Sequence, residues 1–193
     1  MNKTFLSIQF LIYISFIVLD SFHIDSTYVK YLGIILCLIY AIYNKKKYRR
    51  LSMTFTLIAD FFLLVINKHY ELGLLSFIIV QICYLYFLGN IDNTYFTCFL
   101  IIRLSMFVVG TVLLIVSKNM SLLNELVLIY FLNLLINAIQ SCFGSNKLLT
   151  LGLILFVCCD ICVGLHNISA TYTVASFLMW VFYLPSQVLI VLA

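Results

Sequence analysis

Proline is almost missing from this 193-residue chain, which has one, and glycine is scarce at seven. Such a shortage of loop formers leaves little room for long linkers or a disordered tail. Charge is equally thin, at 9% of residues against 65% hydrophobic ones, with a mean hydropathy of +1.17. That balance excludes a water-soluble globular domain. The period-two alternation of barrel strands is also lacking, because the apolar runs are apolar throughout. With no polar segment long enough to form a soluble domain, any chemistry must lie between helices or at the membrane interface.

The basic excess gives a formal net charge of +4, owed largely to Lys45, Lys46, Lys47, Arg49 and Arg50. These residues fall between two apolar runs, so they read as a short cytoplasmic turn that sets topology, with no nucleic acid as partner. The seven cysteines are odd in number and lie mostly within apolar runs, which argues against a disulfide framework. Cys159 and Cys162 have the spacing of a metal or redox pair, but no second pair accompanies them, and they read as small packing residues. His23, His69 and His166 belong to separate loops, so neither a metal nor another cofactor is expected. The first run, after Lys3, resembles a signal peptide in length but has no small-residue cleavage site near Leu19–His23, and it reads as an uncleaved span.

Apolar runs fall at about 4–19, 29–43, 51–67, 72–89, 95–117, 121–143, 147–166 and 170–192. A bilayer core about 30 Å thick takes about 20 helical residues at ~1.5 Å each. Lipid-exposed backbone must satisfy its own hydrogen bonds, so each run is a helix. The expected fold is all-α: a polytopic membrane helical bundle of about eight transmembrane helices in a single integral-membrane domain spanning 1–193. Lys3, the five charges of 45–50 and Lys147 fall on one side; Lys30, Lys68 and Lys118 fall on the other. The excess predicts cytoplasmic N- and C-termini, and the short turns predict that sequential helices pack as antiparallel neighbours.

Two acids lack a place in this scheme unless they serve a site. Asp60 sits midway in the third run, TLIADFFLLV, and Asp160 lies toward the outer end of the seventh, LILFVCCDICVGL. A carboxylate at helix centre costs roughly 2.5–3.5 kcal/mol on insertion scales. Counted from Leu51 and Lys147, the two stand nine and thirteen residues above the cytoplasmic edge, about 14 and 20 Å. Other polar residues inside spans are Arg103, Gln81, Asn133, Asn137, Gln140, Tyr183 and Gln187. Arg103 reads either as a cation that snorkels or pairs structurally, or as one that holds a phosphate. Asn133 and Asn137, four apart, share a helix face, and such amides commonly join helices. Pro185 leaves the Val181 carbonyl without its helical partner and predicts a kink between Tyr183 and Gln187.

These features together resemble the YhhN-type lysoplasmalogenase family of small membrane proteins with about eight spans. Thr56 and Asp60 in TLIADFFLL fill the family's small residue and aspartate; Gly152, Phe156 and Asp160 in GLILFVCCDICVGLHN fill its glycine, phenylalanine and later aspartate. Tyr183 and Gln187 in WVFYLPSQVLI match its tyrosine and glutamine. Gly73, Phe77 and Tyr84 keep the spacing of the fourth span, but Gln81 stands where the family has histidine and Cys159 where serine is common.

The resemblance implies cleavage of the vinyl ether bond of a lysoplasmalogen to an aldehyde and a glycerophospho-alcohol. Such hydrolysis begins with proton delivery to carbon, so one carboxyl must carry a proton while a second carboxylate steadies the cation and orients water. Asp60 and Asp160 are the expected catalytic pair, with Tyr183, Gln187, Gln81, Tyr84 and Arg103 lining the substrate site. The expected partner is a membrane lipid or lysolipid, the expected location a bacterial inner membrane, and a homo-oligomer is compatible with the same features. Three other readings use the same residues. An intramembrane aspartyl protease would place Gly-x-Gly before an aspartate, and neither has it. A non-catalytic lipid-binding protein or a proton-coupled carrier would use the carboxylates without bond cleavage, although no inverted repeat is visible. In a purely structural role, they would only tie helices together.

Overall fold

The computed structural model describes residues 2–44, 46–91, 95–168 and 173–193; Lys45 of the basic stretch lies outside them. Among the described residues the chain is a bundle of eight α-helices with no strand: α1 (Asn2–Ser21), α2 (Thr27–Tyr43), α3 (Lys47–Asp60), α4 (Tyr70–Ile91), α5 (Phe96–Val116), α6 (Leu122–Ser141), α7 (Lys147–Ile168) and α8 (Thr173–Leu192). Six of them, all but α2 and α3, are long and apolar enough to cross a membrane.

The third helix differs from expectation at both ends. Lys47, Arg49 and Arg50 form the first turn of α3, with Lys46 at its N-cap, instead of a turn between helices. At its other end α3 passes into a π-helical segment, Phe61–Ile66, which ends at Asn67 in the left-handed conformation (φ 51°). The added basic turn has a physical reason: Lys47–Ile66 is 20 residues, long enough to reach across a bilayer core, whereas the apolar part alone is short. Asp60 and Asp160 each stand thirteen residues beyond the first residue of their helix, Lys47 and Lys147, or about 20 Å.

Packing follows chain order except at α5. Helices α1 to α4 pack in sequence, α4 then packs on α6, and α6, α7 and α8 continue in order. Contacts of α8 with α2 close a ring of six helices, and α1 lies against α2 and α8. Helix α5 stays outside, packed chiefly on α6, and α4 meets it far less than their short connection suggested. Its composition explains this: Phe99 and Arg103 are the only buried residues of α5, and most of its remaining surface is apolar side chains suited to lipid.

The closest helix pair is α7 with α8. A Cβ at Gly152 would stand 3.1 Å from the Ser186 carbonyl oxygen and the Ile190 amide, and 2.8 Å from Ile190 Cγ1. Only hydrogen at that position lets the two backbones approach, as small residues do between membrane helices. Asn146 completes the junction, accepting from the Leu149 amide at 3.2 Å and donating to the Ala193 carbonyl at 2.9 Å. Helix α8 runs through Pro185. The Val181 carbonyl that Pro185 frees accepts from the Tyr13 hydroxyl of α1 at 3.4 Å, so an interhelical contact replaces the missing helical one.

Candidate active site between helices α3, α6, α7 and α8

Asp60 is the last residue of α3 and is buried at 4% exposure. The π-helical segment starts at the next residue. Such segments widen the helical turn and frequently mark functional positions. Opposite Asp60, the Tyr183 hydroxyl of α8 donates to its carboxyl, with Oδ1 at 2.9 Å and Oδ2 at 2.7 Å. The phenol is itself buried, its ring set edge-on to Phe156 at 5.4 Å and to Trp180 at 5.3 Å between centroids.

Phe156 leads to the second acid. It lies four residues before Asp160, on the same face of α7. Its ring packs against Tyr130 of α6 at 6.5 Å and Phe77 of α4 at 5.8 Å. The Tyr130 phenol lies within hydrogen-bonding reach of the Asp160 carboxyl. Asp160 Oδ2 is buried and has no hydrogen-bond partner. Both carboxylates are close enough to Tyr130 and Cys159 to interact with them electrostatically. Asp60 and Asp160, a hundred residues apart in sequence, therefore flank one aromatic cluster, each facing a tyrosine.

Polar atoms around this cluster remain unpaired. Gln187 lies one turn beyond Tyr183 on the same face of α8, is fully buried, and its Oε1 has no partner. Its Nε2 makes only a long contact, 3.4 Å, to Ser186 Oγ. The Tyr84 hydroxyl of α4 lies near Ser52 and Thr56 of α3 without a hydrogen bond of good geometry, and Thr56 Oγ1, one turn before Asp60, is also unpaired. Buried polar groups normally find partners, and leaving one unpaired costs about 1–3 kcal/mol. Gln187 Oε1, Thr56 Oγ1 and Asp160 Oδ2, on three different helices, are therefore free to accept a polar group.

Next to Trp180, which packs edge-on against Tyr183, stands an ion pair. Lys30 Nζ is 2.8 Å from Asp20 Oδ2, and the Ser26 hydroxyl donates to the same carboxylate. The ammonium also lies 5.2 Å from the Trp180 ring centroid and 5.7 Å from that of Phe16. Lys30, counted from the sequence among outer loop charges, is instead a buried residue in the first turn of α2. Its pairing with Asp20 and two aromatic faces explains why it tolerates burial.

The other two expected lining residues are elsewhere. The Arg103 guanidinium donates to Asn133 Oδ1 at 2.8 Å, Asn137 Oδ1 at 2.6 Å, Gln140 Oε1 at 3.1 Å and the Asn133 carbonyl at 3.4 Å. Asn137 Nδ2 in turn donates to Gln81 Oε1 and to the Gln81 carbonyl, both at 3.0 Å. Among the described residues Arg103 thus neither snorkels nor forms an ion pair; amides hold it between helices. Gln81 spends its oxygen on this network, a turn along α4 from Phe77, instead of meeting the aspartates. The amides of α6 do join helices, as their shared face predicted.

Tyr130, Trp180 and Lys30 were missed in the sequence. Tyr130 is three residues before Asn133 and seven before Asn137, a helical spacing that places it on the polar face of α6. Lys30 and Trp180 carried no comparable signal.

No curated protein and no solved structure gives a significant match to this chain. Among models of protein families, the one describing the YhhN family matches residues 26–193, a stretch that includes Asp60, Asp160, Tyr183 and Gln187. The protein belongs to the YhhN family of multi-pass membrane proteins.

Proposed function

We propose that the protein is a membrane-embedded hydrolase that cleaves the vinyl ether bond of a lysoplasmalogen or related lysolipid. The observation that carries this reading is the pair of carboxyls flanking one buried aromatic cluster, with an unpartnered oxygen on Asp160 and a tyrosine fixing Asp60. Family membership supports it.

The reaction sets distinct demands on the two acids. Protonated Asp160 gives its proton through Oδ2, the oxygen not engaged by protein, to the β-carbon of the vinyl ether. The α-carbon becomes an oxocarbenium centre, and the negative charge of Asp60, oriented by Tyr183, stabilises it. Water then adds to the α-carbon as the Asp160 carboxylate takes up its proton, restoring the acid and leaving a hemiacetal. Collapse of the hemiacetal releases the aldehyde and the glycerophospho-alcohol, so water is the only co-reactant. Phe156 and Tyr130 offer aromatic faces to the cation. In this reading the unpaired Gln187 Oε1 and Tyr84 hydroxyl hold the glycerol hydroxyl or the attacking water. In this reading both termini are cytoplasmic, and a single-chain lipid enters from the bilayer.

The test is aldehyde release from a defined lysoplasmalogen by the purified protein. General acid–base groups contribute about 10²–10⁴-fold. Asp60→Asn and Asp160→Asn should each reduce turnover by that order while keeping a wild-type thermal unfolding profile. Retained turnover in either folded variant removes that residue from the mechanism. Counterflow of a solute in proteoliposomes without bond cleavage would replace the hydrolase with a carrier.

A further inference from the structure

Arg103 is buried at 7% exposure within a span, and among the described residues every group it bonds is neutral. A charge inside a membrane span is expensive, and such charges normally pair with an opposite one. The amides lower that cost through dipoles but leave the charge uncancelled. A guanidinium has five N–H donors. Four meet the three amide side chains and the Asn133 carbonyl, while the Nε–H has no partner. Gln81 Nε2, in the same network, is buried and unpartnered too. The excess is therefore of donors and of positive charge.

Arg103 and Asn133 form the polar end of a cavity of about 300 Å³ between α4, α5 and α6. Its remaining wall is wholly apolar: Leu85, Leu100, Leu104, Phe107, Ile129 and Leu132. The cavity opens along α5, whose surface is the most lipid-exposed of the bundle. Arg103 is seven residues, or about 10 Å, from the start of α5, and Phe107 and Ile129 lie one turn deeper. An anion at Arg103 would sit close below the head-group layer, with an apolar chain following Phe107 and Ile129 inward. The aspartate cluster is separate: it faces the interior of the ring, whereas this cavity is on the α5 side of α6.

We propose that the Arg103 cavity is a second ligand site, which binds an amphiphile with an anionic head, phosphate or carboxylate, and one acyl chain. The guanidinium charge and its Nε–H hold the head, and the leucine-rich groove holds the chain. The site does not depend on the chemistry proposed for the aspartates.

The test is binding of three probes with the same chain, monoacylglycerol phosphate, palmitate and monoacylglycerol, to the purified protein in a neutral detergent by native mass spectrometry. The wild type should retain one or both anionic probes at least tenfold more tightly than the neutral one. Monoacylglycerol phosphate against palmitate tells a phosphate head from a carboxylate. Arg103→Gln should abolish the preference. Leu104→Trp, which fills the groove and leaves the Arg103 hydrogen bonds intact, should weaken all three probes and decides the matter if Arg103→Gln does not fold. Asp60→Asn should leave the preference unchanged even if it also loses lipid hydrolysis. Equal retention of the neutral probe, or an anionic preference that survives Arg103→Gln, overturns the proposal.

Discussion

Tyr183→Phe removes one oxygen and leaves the ring, so it isolates the hydrogen bond to Asp60 from the aromatic packing around it. The contacts with Phe156 at 5.4 Å and Trp180 at 5.3 Å involve ring faces and edges that phenylalanine retains. What is lost is the hydroxyl set 2.7 and 2.9 Å from the two carboxyl oxygens of a residue only 4% exposed. A hydrogen bond to a charged group is worth about 1.5–3 kcal/mol net. At about 1.4 kcal/mol per tenfold, the loss corresponds to about ten- to a hundredfold in any property that depends on a fixed Asp60 carboxylate. Two measurements separate the consequences. Thermal unfolding followed by a thiol-reactive dye, which the buried cysteines suit, should show a lowered midpoint. Aldehyde release should fall by about ten- to a hundredfold in kcat, with a smaller change in KM, because Tyr183 orients a reacting group and does not supply the chain-binding surface. A variant with unchanged midpoint and unchanged turnover would show that the Tyr183–Asp60 bond contributes nothing, and would refute both the stability estimate and the assignment of Asp60 as the oriented carboxylate.

Three further outcomes follow from the packing. Gly152→Ala should lower stability by about 1–3 kcal/mol, the usual cost of overpacking, because its Cβ would meet backbone of α8 at 3.1 Å; thermal unfolding checks this. Gly164→Ala, which meets no heavy atom within 4 Å, should be neutral or slightly stabilising in the same assay, since alanine is the better helix former. Lys30→Met strands the Asp20 carboxylate and should destabilise clearly, while Asp20→Asn with Lys30→Met should recover part of the loss; equal midpoints for the single and double variants would show that the pair is not coupled.

Much of the candidate site was legible before any coordinates. Asp60 and Asp160 stand out because charge inside lipid is expensive and therefore rare, and Tyr183 and Gln187 stand out because a proline sits between them in an apolar span. Helix bounds were legible only approximately: the apolar edge at Leu51 misses the start of α3, because the basic residues from Lys47 onward belong to the helix. Arg103 and Gln81 were identified as polar residues but assigned to the wrong neighbours. An arginine in a span announces that it needs partners, yet nothing in its local sequence distinguishes three amides on α6 from a lipid phosphate or a carboxylate.

Hydrophobicity, helix length and the cost of buried charge are local properties of a chain in a bilayer, so the class of molecule, the number and position of its helices and the two acids that call for a purpose could be read from the residues. Which helices meet was settled by tertiary packing. It placed α5 outside a ring closed by α8 on α2, brought Tyr183 to Asp60 and Tyr130 to Asp160, set a π-helical segment immediately after Asp60, and drew Gln81 and Arg103 into a separate network. Those outcomes depend on how side chains from distant segments interlock. In a chain apolar on nearly every face, residue pattern does not say which face each helix turns toward its neighbours.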